Sequence, residues 1–398
     1  MSQLHLVGSH YALCIVRNCI SVPTLMHILR TSRCFDHGLL HRFDSILRDG
    51  LVSILNVAFS HSQWQQACLP VADGGLGVRS AFSLASSAFL ASAVSTLALQ
   101  NLILPRIADR RDTAFDDCLE FWSNATSAAP LAEPASHKQR AWDRFVVCCV
   151  KESLHSECVS PIDRARMLGS CAQHSGDWLN ALPVSSCGLF LSDEEVRIAV
   201  GLRIGLPLVL PHACECGGMI DSLGLHCLAC IKGASKQARH SIINDVVYRS
   251  MVSAKIQAVK EPTGLCKDGK RPDGASIIPW KRGKIVTWDV TVADSFAASY
   301  IKDTSFTAGA AAELAAMKKS AKYEELTRTY LFVPLACEVT GVWNAEAEEF
   351  FNCLGSRISG ATGDARETTF LYQRLSIALQ KGNAACIGKS VNNFDWLE

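Results

Sequence analysis

Apolar residues recur at helical spacing through the first hundred positions, as Leu25, Ile28 and Leu29 and then Phe43, Ile46, Leu47 and Leu51. Residues 1–105 therefore read as a helical region, with a sharp turn at Asp73-Gly74-Gly75. The apolar run from Ala81 to Leu104 is interrupted by Ser83, Ser86, Ser87, Ser92, Ser95 and Gln100, so it reads as a buried helix or helix pair rather than a membrane span. Residues 106–205 also read as mainly helical, and Ser192-Asp193-Glu194-Glu195 has the form of a capping box. Pro207, Pro211, Gly217 and Gly218 then break the pattern and predict a boundary near 205.

From 235 the periodicity changes. Lys236 to Lys255 predicts a helix, and Ile285 to Val292 a strand rich in β-branched and aromatic residues. Lys281-Arg282-Gly283-Lys284 can turn the chain between that strand and Ile277-Ile278. An alanine-rich helix follows over about Phe306 to Arg328, then a strand over Phe332 to Val339 and two closing helices. This order predicts an α/β carboxy-terminal domain, 236–398, with a mixed central sheet flanked by helices.

Hydrophobic residues make up 48% of the 398 residues and charged residues 19%, a globular composition. The formal net charge of +1 hides a local bias: Lys232 to Lys284 holds 12 Lys+Arg and 4 Asp+Glu, and 12 − 4 = +8. Such a face attracts phosphates and makes binding salt-sensitive, or is an ordinary solvated surface. The 18 cysteines are scattered behind no secretory leader pattern, which points to a reducing compartment and to most of them being small core residues.

One cysteine group is different. Cys214, Cys216, His226 and Cys230 form C-x-C-x9-H-x3-C within 206–235, a segment too short to have its own core. Three thiolates and an imidazole suit tetrahedral Zn²⁺, and Gly217, Gly218 and Gly224 let the loop fold back. Cys227 and His240 are rival ligands.

A second group is acidic. Asp273 lies in Arg271-Pro272-Asp273-Gly274, which taken alone reads as a surface turn. Asp289 lies inside the Trp288-Asp289-Val290-Thr291 strand, where a buried carboxylate needs a metal or a paired charge. Together they could hold Mg²⁺ to activate water at a phosphate, with Lys319 or Lys322 orienting that water and Lys302 or Lys318 as alternatives. Glu261 is a candidate third carboxylate and Glu338 a weaker one. Trp280 and Trp288 could stack on bases, but buried packing fits them equally well.

Taken together, Cys214 to His240, Asn244-Asp245, Glu261-Pro262, Arg271 to Gly274, Trp288 to Thr291 and Lys319-x-x-Lys322-Tyr323 resemble the endonuclease region of non-LTR retrotransposons. There a Cys-Cys-His-Cys knuckle precedes a restriction-like nuclease of the PD-(D/E)XK superfamily. The resemblance implies that Asp273 and Asp289 bind the catalytic metal. Fifteen residues separate them, slightly more than usual in that group, and position 291 is threonine where the wider superfamily has its lysine. Retrotransposon nucleases move that lysine to the following helix, which favours Lys319 and Lys322. Residues 1–105, with Leu29-Arg30-Thr31, Phe43-Asp44, Trp64, Leu69-Pro70 and Gly74 to Arg79, resemble the helical thumb behind a reverse-transcriptase palm. The palm is not recognisable. Phe115-Asp116-Asp117 sits in a helical pattern and reads as surface charge.

The expectation is a Mg²⁺-dependent DNA endonuclease with a structural zinc, without polymerase activity. Its nick would prime copying of element RNA. Lys236, Arg239, His240, Lys255 and Arg271 would contact nucleic acid, chiefly through phosphates. DNA is the expected partner, element RNA a further one, and no membrane is involved. Nuclear localisation follows from the resemblance alone. The alternatives are an inactive nucleic-acid-binding remnant and an interaction protein with no nucleic-acid role.

Overall fold

The computed structural model describes residues 3–103, 113–233, 235–267 and 269–388. The chain forms two compact units, Met1–Cys158 and Val159–Glu398. The predicted boundary at 105 lies outside the described residues. The one predicted near 205 falls inside the second unit, because the preceding helices share its core. The Trp178 amide donates to the Ser376 hydroxyl at 3.1 Å, and Gln373 donates to the Asn180 carbonyl at 3.2 Å.

The first unit is helical, as its periodicity predicts. In the Gly38–Leu55 helix Leu40, Leu47, Leu51, Ile54 and Leu55 are buried. Gly74 takes the left-handed conformation of the predicted turn (φ 87°). The Ala81–Ile103 helix is long and apolar enough to cross a membrane, as is Ser9–Thr31. The portion of the former that the structure buries runs from Ala81 to Ala91, packed with Trp122 and Trp142. The buried Asp44 carboxylate accepts from the Ala81 amide at 2.7 Å and the Ser80 hydroxyl at 2.6 Å, and so caps that helix. Asp117 pairs with Arg33 at 3.3 Å on the surface, in line with the reading of that acidic run.

The second unit mixes helices with a four-stranded sheet whose strands lie side by side in chain order. A separate two-stranded hairpin pairs β1 (His212–Ala213) with β2 (Met219–Ile220). The main sheet comprises β3 (Ala258–Lys260), β4 (Gly274–Ser276), β5 (Val286–Ala293) and β6 (Leu331–Glu338). The first three run antiparallel, and β5 and β6 run parallel. The predicted turn joins β4 to β5, with Arg282 and Gly283 both left-handed and Trp280 donating to the Lys284 carbonyl at 2.7 Å. The capping box at Ser192 is present, opening Asp193–Ile204.

Alternation along the strands sorts two faces. Val286, Trp288, Val290, Leu335 and Cys337 pack with the Ser235–Ser253, Ala345–Thr362 and Glu367–Gly388 helices. Ala293 and Ala336 face the other way, onto Ala311, Ala312, Ala315 and Ala316. The single alanine-rich helix predicted to Arg328 is in fact two, Ala310–Lys322 and Glu324–Thr329. The break is at Tyr323, whose buried side chain turns into the core and donates its hydroxyl to the Arg271 carbonyl at 2.7 Å.

Candidate active site and metal-binding knuckle

The hairpin of β1 and β2 presents Cys214 and Cys216 at its tip, and the Leu225–Ala229 helix supplies His226, with Cys230 as its cap. The four donor atoms lie within 4.8 Å of one another. Cys214 Sγ is 3.6 Å from Cys230 Sγ, and Cys216 Sγ is 3.2 Å from His226 Nε2. Tetrahedral zinc bonds of about 2.3 Å would set two sulfurs about 3.8 Å apart, close to this spacing. The Gly218 amide donates to Cys216 Sγ at 3.4 Å, and this bond above all draws that thiol down to about 7, toward the thiolate a metal needs. A β-carbon on Gly218 would sit 2.6 Å from the His226 ring, so the close approach requires glycine. The cluster could hold a metal ion.

Neither rival ligand belongs to it. Cys227 is buried with Leu228, Ile220 and Ile387, where the knuckle docks on the carboxy-terminal helix. His240 points elsewhere, to Asp273. All eighteen cysteines are free of disulfides.

The carboxylates meet at the β4–β5 pair. Gly274 pairs with Trp288 and Ala275 with Thr287, and one residue beyond the Gly274–Trp288 pair lie Asp273, at a bend just before β4, and Asp289 in β5. Gly274 is part of β4 rather than of a surface turn. Asp289 is buried and ion-paired to Lys319 from the Ala310–Lys322 helix. Asp273 Oδ2 accepts from the Val290 amide at 2.6 Å and faces His240 Nε2 at 2.7 Å. That carboxylate holds the imidazole above its ordinary pKa, with the charge of Asp289 acting in the same direction. Asn244 donates to the Asp273 carbonyl at 3.1 Å and accepts from Trp288 Nε1 at 2.8 Å. Burial pushes the Tyr323 hydroxyl far up, and hydrogen bonding to Asp289 adds to it.

The other candidates do not all reach this centre. Lys322, three residues beyond Lys319, is exposed and reaches the Tyr323 hydroxyl at 3.0 Å. Lys318 donates to Tyr300 at 3.1 Å, and Lys302 is exposed on the Ile301–Thr304 helix. Glu261 donates its amide to the Asp273 carbonyl at 3.1 Å, and its residue is exposed. Glu338 lies apart, paired with Ala293 four rungs beyond Asp289, or about 13 Å along the strand. Its carboxylate, raised in pKa by burial, accepts from Ser295 and from the Ala311 amide, so it caps a helix and is not a metal candidate.

The expected nucleic-acid contacts divide. Lys255 and Arg271 are exposed, and Lys236 is half-buried with its ammonium on the Ala229 carbonyl at 3.2 Å. Arg239 is buried instead, donating to Asn383 Oδ1 at 3.0 Å and to the Leu228 carbonyl at 3.2 Å, so it is unavailable to a phosphate. Trp288 is fully buried, and Trp280 is buried beneath Arg357, whose guanidinium lies 3.8 Å from the ring centre, so neither is an open stacking surface. The sequence reading missed the tie between His240 and Asp273 and the role of Asn244. Their spacing of four, one face of one helix, was the available signal.

No protein-family model matches the chain, and no curated protein matches it.

Proposed function

We propose that this chain is a Mg²⁺-dependent DNA endonuclease of the restriction-like kind found in non-LTR retrotransposons, preceded by a zinc knuckle. The observation that carries the reading is Asp273, immediately before β4, with its carboxylate on the amide of Val290, the residue after Asp289, and Lys319 on Asp289. The order of one helix, three strands, three helices and a fourth strand around a mixed sheet agrees with it. Two carboxylates are hard oxygen donors of the kind Mg²⁺ takes, and the thiolate-rich knuckle suits Zn²⁺. Bound Mg²⁺ would supply charge stabilisation at the scissile phosphate and a more acidic water. Asp273 and Asp289 would hold it, with Glu261 the expected third carboxylate, and Lys319 would orient the attacking water. Lys236, Lys255 and Arg271 hold the DNA backbone. The first unit would be the thumb-like region of such an element; element RNA is a further partner, and the nucleus is the place of action.

The test is nicking of supercoiled plasmid by the full chain in Mg²⁺ and in EDTA, beside Asp273→Ala and Asp289→Ala. Nicking that needs Mg²⁺ and disappears in both variants is the expected result. DNA binding without any nicking would replace this reading with that of an inactive binding remnant.

A further inference from the structure

We propose that His240 is a positioning residue for Asp273, fixing which of its two carboxylate oxygens can bind a metal; the inference rests on the nuclease reading above. Two donors converge on Oδ2, the Val290 amide at 2.6 Å and His240 Nε2 at 2.7 Å. An oxygen engaged twice has little capacity left, so the metal-facing atom is Oδ1. The Asn244 amide on the Asp273 carbonyl at 3.1 Å fixes the backbone from which the carboxylate swings. Without His240, Oδ2 keeps one donor and the carboxylate regains rotational freedom.

The imidazole has no other described task. Its Nδ1 is buried and has no hydrogen-bond partner among the described residues. The helix turn that carries it is anchored from the other side, where Arg239 binds the Leu228 carbonyl and Asn383. The Ser235–Ser253 helix also lies so close to the carboxy-terminal one that a β-carbon on Gly382 would be 2.3 Å from Arg239 Cγ. His240 is thus delivered to Asp273 by a fixed frame. A hydrogen bond to a ligating carboxylate typically changes metal affinity by about 10- to 100-fold.

The experiment titrates Mn²⁺ into the zinc-loaded full chain, reading free Mn²⁺ by electron paramagnetic resonance. Wild type is compared with His240→Phe, which keeps the ring but not the donor, and with His240→Gln, whose amide can donate from a similar reach. Thermal melting checks that each is folded, and His240→Ala replaces His240→Phe if the latter is not. We expect the donor-less variant to bind Mn²⁺ at least about tenfold more weakly and the glutamine variant to recover most of that loss. Wild-type affinity in the folded donor-less variant overturns the proposal, as does a glutamine variant as weak as it. Failure of wild type to bind any Mn²⁺ that Asp289→Asn removes would instead overturn the nuclease reading, and this inference with it.

Discussion

The indole of Trp288 lies across Gly274 so closely that a β-carbon at 274 would fall 2.0 Å from the ring. The glycine of Pro-Asp-Gly is there to admit an aromatic ring, and that ring's Nε1–H holds Asn244, which in turn holds Asp273. Gly274→Ala should cost about 1–3 kcal/mol through overpacking. Gly360, in the Ala345–Thr362 helix, has nothing within 4 Å of where its β-carbon would sit. Gly360→Ala should therefore stabilise by about 0.5–1 kcal/mol. Urea unfolding of the two variants gives both signs in one series.

Lys319 and Lys322 separate in a nicking assay. Lys319→Met should lower the single-turnover rate by about 10²–10⁴-fold, the usual weight of a proton-handling group. Lys322→Met should keep the wild-type order of magnitude. Equal losses in both would place the water-orienting role on neither lysine alone.

The knuckle should hold one zinc per chain. Cys214→Ser and Cys230→Ser should release it to a colorimetric chelator, while Cys227→Ser should retain it because Cys227 belongs to the apolar packing. Zinc lost from Cys227→Ser and kept by Cys214→Ser would reverse the ligand assignment.

Asp294 gives stability a pH dependence. Burial, above all, pushes its pKa up from 3.8 to about 6. An acid raised on folding favours the folded state while protonated, so the cost of its charge is absent below pH 3.8, grows through the interval and is complete above about 6. Asp294→Asn keeps an acceptor for the Phe296 amide, which Asp294 Oδ1 binds at 3.0 Å. The variant should be the more stable protein at pH 7.5, with the advantage vanishing by pH 4 in urea melts. An advantage independent of pH would remove burial of charge as its cause.

Arg239 and its exposed neighbours predict different failures. Arg239→Ala should lower folding stability by about 1.5–3 kcal/mol per charged hydrogen bond lost. Lys255→Ala with Arg271→Ala should leave stability unchanged and flatten the salt dependence of DNA binding by about 0.9 in slope for each phosphate contact removed.

What the sequence made legible was what local pattern controls. The helices of the first unit, the Ser192 capping box, β5 and the turn at Arg282-Gly283 follow from spacing and side-chain type, although Ile28 and Ile46 of the apolar stripes are exposed. The clustering of Cys214, Cys216, His226 and Cys230 was legible because their spacing sits in a short glycine-bearing segment. Tertiary relationships were not. Lys319 and Lys322 share a helical face, and only the packed helix shows which reaches Asp289. Pro-Asp-Gly looks like a turn until Trp288 is known to cover it. Arg239 and His240 are adjacent basic residues in sequence, yet one is buried against a carbonyl and the other faces a carboxylate, because successive residues on a helix point about 100° apart.

The alanines of the Ala310–Lys322 helix also set a length. Ala311, Ala312, Ala315 and Ala316 are buried against Ala293 and Ala336, and Lys319 follows Ala315 by one turn. Packing through methyl groups allows the nearest approach of a helix to its neighbour, since separation grows with the side chains at the contact. The reach of one lysine is matched to that gap. A leucine at 315 would lift the helix and withdraw the ammonium from Asp289 while leaving both charged residues in place. The plain composition of this segment thus works as a gauge, holding a cation at a fixed height above the sheet.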